Sequence, residues 1–104
     1  MTLKPMTLKL LIHAPTATAL VRARRNLLNF LAQAPGASVE LVINGEAVRA
    51  ALASPDAATD ACLVLCRNSL AAAQLSAPDG MCTVSAAVLH IAQRQADGWA
   101  YFRA

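Results

Sequence analysis

With 104 residues the chain is long enough for one domain, spanning 1–104, with a real core, and too short for two. Hydrophobic residues make up 57% and charged ones 14%, an apolar excess of Ala, Leu and Val that a small domain cannot hide in its own interior. Part of it is therefore expected to face another subunit, and a net charge of +3 is too slight to be a nucleic-acid footprint.

No run approaches the roughly 18–20 apolar residues of a membrane-spanning helix. Lys4 and Lys9 precede only Leu10-Leu11-Ile12, too short for the core of a secretory leader. Three cysteines, an odd number without framework spacing, fit the same expectation of a cytoplasmic protein.

Thr7 to His13 reads as a first strand, and Pro15 with Thr16 or Thr18 starts the longest helix, which runs to about Ala34. Leu20, Ala23, Leu27 and Leu31 form its apolar stripe, widened by Val21 and Leu28, opposite Arg22, Arg25, Asn26, Asn29 and Gln33. Pro35-Gly36 stops it. Val39 to Asn44 is the second strand, Asn44-Gly45 a turn, and Glu46 to Leu52 a short helix. A polar loop from Ser54 to Asp60 leads to a third strand, Ala61 to Cys66, and a helix from Asn68 to Leu75. After the turn Ala77-Pro78-Asp79-Gly80 comes a fourth strand, Met81 to Val84. Ser85 then caps a helix reaching about Ala96, and Trp99 to Arg103 is the last strand.

Five strands alternating with four helices define an α/β protein with a mostly parallel sheet. Work in such sheets is done at the carboxyl ends of the strands, where His13, Asn44-Gly45, Cys66-Arg67-Asn68 and Ser85 fall. Cys66 stands out among them, because it joins the apolar run Leu63-Val64-Leu65 to a helix start. Unpaired backbone N–H groups and the positive end of the helix dipole favour thiolate there, and Arg67 adds a cation. The alternative is a small core residue that ends a buried strand.

The order Ile12-His13-Ala14-Pro15, Leu41-Val42-Ile43-Asn44-Gly45, Leu65-Cys66-Arg67-Asn68-Ser69-Leu70 and Gly98-Trp99-Ala100-Tyr101 resembles the DsrE/DsrF-like (YchN-like) family, across nearly the whole chain. The resemblance implies a three-layer α/β/α sandwich, a five-stranded sheet of order 4-3-2-1-5, and a cytoplasmic homo-oligomer, trimer or hexamer. Several members carry sulfur in relays, so it also implies a possible sulfur-relay partner protein. The working thiol in those members follows the third strand, where Cys66 stands, in a segment like Cys-x-x-Ala-x-x-x-Arg-Gly. Here Asn68-Ser69-Leu70 and Gln74-Leu75 depart from that segment. Arg67, Asn68, Ser69, Asn44, Gly45 and His13 are the candidate binding residues around it.

With the strand order that the resemblance implies, strand two separates His13 from Cys66 by about 10 Å, so a Cys–His pair is not expected within one subunit. Cys62, on the same strand as Cys66, lies about 13 Å away, beyond the reach of a disulfide. Cys62 and Cys82 read as core residues that react only on unfolding, and Cys66 as the thiol alkylated first. Without a Cys-x-x-Cys pair, thioredoxin-like exchange and a zinc knuckle have no support, and neither a metal nor an organic cofactor is expected. Gly45 alone makes no phosphate loop. His90 and Arg94, four apart, read as a solvated or interface face. Arg22, Arg24 and Arg25 read as an exposed basic face, with docking of an acidic protein or RNA as the alternative.

Two functions follow. One is a sulfur carrier or sulfurtransferase-like protein in which Cys66 accepts sulfane sulfur as a persulfide. The other is a non-catalytic oligomeric module whose strand-end edge binds a small ligand or a partner. Exposure of Cys66 separates them.

Overall fold

Alternation along three apolar strands builds the sheet, and the sheet gives the molecule two distinct cores. The structure is a computed structural model and describes residues 7–104. Its elements are β1 (Lys9–Ala14), α1 (Ala17–Gln33), β2 (Ser38–Ile43), α2 (Ala47–Ala53), β3 (Leu63–Cys66), α3 (Arg67–Ala72), β4 (Cys82–Val84), α4 (Ala87–Ala96) and β5 (Ala100–Arg103). All four strand pairings are parallel, in the order β4-β3-β2-β1-β5. Both the class and the expected strand order are therefore met.

Ile12, Ala14, Leu41, Ile43, Leu63 and Leu65 point to one face and pack under α1, α2 and α3, against Leu20, Leu27, Val48 and Leu70. Leu11, Val42, Val64 and Cys66 point to the other, where Ala87 and Ile91 of α4 cover them. Among the described residues, α1, α2 and α3 thus lie on one side and the ten-residue α4 on the other. Leu27 is fully buried in the larger core, and truncating such a leucine to alanine costs about 2–5 kcal/mol.

Thr16 starts α1, its Oγ1 accepting from Ala19 N–H at 3.0 Å. The buried stripe is Ala19, Leu20, Ala23 and Leu27. Val21 and Leu28 do not widen it. Each stands one residue, about 100°, round the helix from a buried leucine, and they are 61% and 46% exposed.

Three further expectations are corrected. The third strand begins at Leu63, because Asp60–Cys62 form a 3-10 turn in which Cys62 N–H bonds Thr59 O. Asp60 fixes that turn by accepting from Asp56 N–H at 2.9 Å, so Cys62 and Cys66 do not share a strand. Asp60 also draws Arg24 inward at 3.4 Å, which removes it from the exposed basic face of Arg22 and Arg25. Helix α3 ends at Ala72 rather than Leu75. Gln74 takes φ 58°, and Leu75 N–H returns to Leu70 O at 2.9 Å, closing the helix.

His90 and Arg94 do not form a solvated face. Glu40, on the α4 side of β2, receives His90 Nε2 at 2.8 Å and both Arg94 Nε and Nη2, at 3.1 and 2.9 Å. Arg94 also lies 4.9 Å over the Trp99 ring. Among the described residues, no helix is long and apolar enough to cross a membrane.

Candidate functional site

Cys66 ends β3 and is the N-cap of α3, with extended backbone (φ −76°, ψ 116°). Its sulfur lies on the α4 face, where Ala87 N–H points at Sγ from 3.4 Å. Ser85 was the expected cap of α4, yet the N-cap is Ala86, which offers no side-chain acceptor. Cys66 Sγ takes that role from the sheet face beneath α4, satisfying a first-turn N–H that would otherwise be orphaned.

Burial pushes the Cys66 thiol up, but hydrogen bonds outweigh it. The Ser69 hydroxyl, Ser69 N–H, Ala87 N–H and Asn68 N–H all favour the thiolate and hold the group below its ordinary value. The hydroxyl is itself oriented, because Ser69 Oγ accepts from Gly45 N–H at 2.8 Å and so has its proton free for the sulfur. Gly45 sits at φ 56°, and a Cβ there would come within 2.7 Å of Pro15 O. Only glycine lets this turn close against β1 and present its N–H to Ser69.

Next to Gly45, Asn44 Oδ1 meets His13 Nε2 at 2.9 Å, and His13 Nδ1 meets Tyr101 Oη at 2.7 Å. An amide oxygen only accepts, so Nε2 carries the ring proton and Tyr101 donates to Nδ1 when the imidazole is neutral. This string runs along the strand ends beside a groove of about 290 Å³ lined by His13, Asn44, Val88, Ile91, Gln95 and Tyr101. His13 pairs with Val42 and Val42 with Val64, which puts His13 two strands away and two residues short of Cys66. That is roughly 12 Å between Cα atoms, so no Cys–His pair forms within the chain.

Of the anticipated residues, the fold unites Cys66, Ser69, Gly45 and Asn68 directly, and Asn44 and His13 through the neighbouring string. Asn68 contributes its backbone N–H, not its exposed side chain. Arg67 is exposed, and the thiol is held down by hydrogen bonds rather than by its charge. Cys66 itself is buried, at 5% exposure. Cys82 is exposed, contrary to the expectation of a core residue, because edge strand β4 has a neighbour on one side only. It is the thiol open to alkylation in the native state, so Cys66 is not labelled first by access. Cys62 is half-buried; burial first, and the Glu40 charge second, push its thiol up.

Ala87, Tyr101 and the groove wall Val88, Ile91 and Gln95 escape sequence reasoning. The i, i+3, i+7 spacing of the last three is the one signal that marks them as a common helix face. Among the described residues, no group of three or more His, Cys, Asp or Glu is placed to hold a metal ion.

Fold and site together define a parallel five-stranded α/β protein with a hydrogen-bonded thiol at a strand–helix corner. Among solved structures it is similar to MTH1491 from Methanobacterium thermoautotrophicum, a protein of unknown function. The TM-score is 0.79, with 23% identity over 93% of this chain and 99% of that one. At that identity the likeness shows the fold alone. No family model matches the chain, and no curated protein does.

Proposed function

We propose that the protein is a sulfur carrier of the DsrE/DsrF-like kind, with Cys66 as the sulfur-bearing residue. The observation that carries this reading is the Ala87 N–H held on Cys66 Sγ at 3.4 Å at a strand–helix corner, where Ser69 and Asn68 also favour the thiolate. In loading, the Cys66 thiolate attacks the outer sulfur of a donor persulfide R–S–SH. A new S–S bond forms, the old one breaks, R–S⁻ departs with the electron pair, and Cys66 holds –S–SH. In unloading, an acceptor thiolate attacks that outer sulfur and the Cys66 thiolate leaves. A leaving thiolate of low pKa leaves faster, so the same donors assist the hand-off. No metal or organic cofactor takes part.

Assembly as a homo-oligomer, trimer or hexamer, belongs to the same reading, as do a cytoplasmic setting and a sulfur-relay partner protein. Val21, Leu28, Val88, Leu89, Tyr101 and Phe102 support assembly, being large and exposed on the single chain.

The test is intact mass after incubation with a sulfane-sulfur donor. Wild type gains one sulfur and Cys66→Ser gains none at that site; loading confined to Cys82 refutes the carrier.

One observation favours the alternative of a non-catalytic binding module. Cys66 is only 5% exposed, whereas the groove beside His13 and Tyr101 is open. On that reading His13→Ala abolishes ligand-induced stabilisation and Cys66→Ser does not.

A further inference from the structure

A thiol that works must be reached, and what stands over Cys66 is α4. Among the described residues this helix is the single one on its side of the sheet, and of its own residues Ala87 alone is buried. Val88 and Leu89 are 78% and 51% exposed, so little apolar surface holds it down. Its N-terminus has no side-chain cap and its C-terminus turns at Gly98, φ +91°. At that end Lys9 Nζ of β1 holds the C-cap carbonyl, Asp97 O, at 2.8 Å, and two further polar attachments act on the helix itself. One is Ala87 N–H on Cys66 Sγ. The other is Glu40, whose carboxylate accepts from His90 and, in a fork, from Arg94. Glu40 and His90 side chains are 17% and 13% exposed, so their bond is shielded from water, whereas Arg94 is 36% exposed and contributes through its two-pronged geometry.

We infer, on the reading of Cys66 as the working thiol, that Glu40 is a positioning residue that governs access to it. By gripping His90 and Arg94, Glu40 keeps α4 seated over the sulfur, and α4 must lift for any reagent to reach Sγ. The coupling runs both ways, as linkage requires. An atom added to Sγ takes space filled by Ala87 and weakens the acceptor of its N–H, so a modified Cys66 weakens the seating of α4 and loosens Arg94 from Glu40. Arg94 stacks on Trp99, the sole tryptophan, which makes that loosening visible. Glu40 touches no reacting atom; it acts through the helix.

The experiment is iodoacetamide alkylation resolved by peptide mass, in wild type, Glu40→Gln and Arg94→Gln, with a pH profile for each so that rates compare per thiolate. Cys62 is the internal reference. It packs against the opposite core, so global unfolding accelerates it together with Cys66, whereas lifting α4 does not. The expected result is about a tenfold or larger rise in the Cys66 rate per thiolate in both variants, the weight of hydrogen bonds to a charged group, with the Cys62 rate per thiolate unchanged even as loss of the Glu40 charge lowers the Cys62 pKa. Alkylation of Cys66 in a Cys82→Ser background also shifts wild-type Trp99 emission. A Cys66 rate within twofold of wild type in both variants overturns the inference, and so does acceleration of Cys62 in step with Cys66. The probe is not a sulfur donor. Failed persulfide loading with the expected alkylation pattern therefore counts against the carrier alone.

Discussion

Gly45→Ala probes how the turn after β2 supports the thiol, and the structure sets its size. Glycine at φ 56° is at ease, whereas a residue with a Cβ pays about 1–2 kcal/mol for the left-handed backbone. The added Cβ also lies 2.7 Å from Pro15 O, a backbone atom with no rotamer by which to withdraw. Forcing the two chains apart costs about 1–2 kcal/mol more, the scale of overpacking. The sum is about 2–4 kcal/mol. With a urea m-value of about 1.5 kcal/mol/M for a domain of this size, the midpoint falls by about 2 M. Two other glycines calibrate the terms. Gly80→Ala has the positive φ (+88°) and open space, and loses only the backbone share, about 1 kcal/mol. Gly36→Ala has neither burden and is neutral or stabilised by about 0.5 kcal/mol. Urea unfolding by circular dichroism ranks all three. Should Gly45→Ala fall within about 0.5 kcal/mol of Gly80→Ala, the steric part of the reasoning is refuted. Its movement also draws Gly45 N–H from Ser69 Oγ, so Cys66 alkylation shifts to higher pH in the same variant.

Ser69→Ala removes the hydroxyl that favours the thiolate, so the Cys66 thiol pKa rises; an unchanged alkylation pH profile contradicts that. In wild type Cys82 is alkylated first by virtue of exposure, and a native chain that labels Cys62 or Cys66 ahead of it contradicts the burial. Burial pushes the Glu40 carboxyl up, but Arg94 and His90 outweigh it and hold it below its ordinary value. Stability from that carboxylate is therefore complete above the unfolded-state range near about 4.3 and is lost as pH falls through the lower native value. Urea midpoints should drop through that acid window in wild type and less steeply in Glu40→Gln. Sedimentation at micromolar concentration should give a species larger than the 10.9 kDa chain, and a lone monomer refutes assembly.

Strands β1, β2 and β3 were legible because buried parallel strands write themselves as short apolar runs, and α1 because its cap and stripe are both local. Cys66 was legible for the same reason, as a thiol between a strand and a helix start. What supports it was not. Ala87 N–H, 21 residues later in sequence, reaches the sulfur only through the stacking of layers. Glu40 in Val39-Glu40-Leu41 was a clue, a lone carboxylate in an apolar strand that had to find cations. Its partners lie 50 and 54 residues away, and i, i+4 spacing by itself reads equally well as a wet surface. Val21 and Leu28 misled because composition, unlike packing, does not say which side of a helix meets the core. The 3-10 turn at Asp60–Cys62 replaced strand because Asp60 bonds its own loop at Asp56 and Arg24 across it, contacts that an extended chain would forfeit.

The pairing of β5 with β1 orders events during synthesis. The sheet can grow from β1 through β2 and β3 to β4 as the chain emerges, but the other side of β1 waits for residues 100–103. At ordinary synthesis rates that interval is roughly ten seconds, with Leu10, Leu11 and Ile12 on an open edge of the kind that recruits other chains. Helix α4 lies between β4 and β5 in the chain, and Trp99, which braces Arg94, comes just before β5. A growing polypeptide therefore carries Cys66 uncovered, and the sulfur meets Ala87 N–H only when α4 docks.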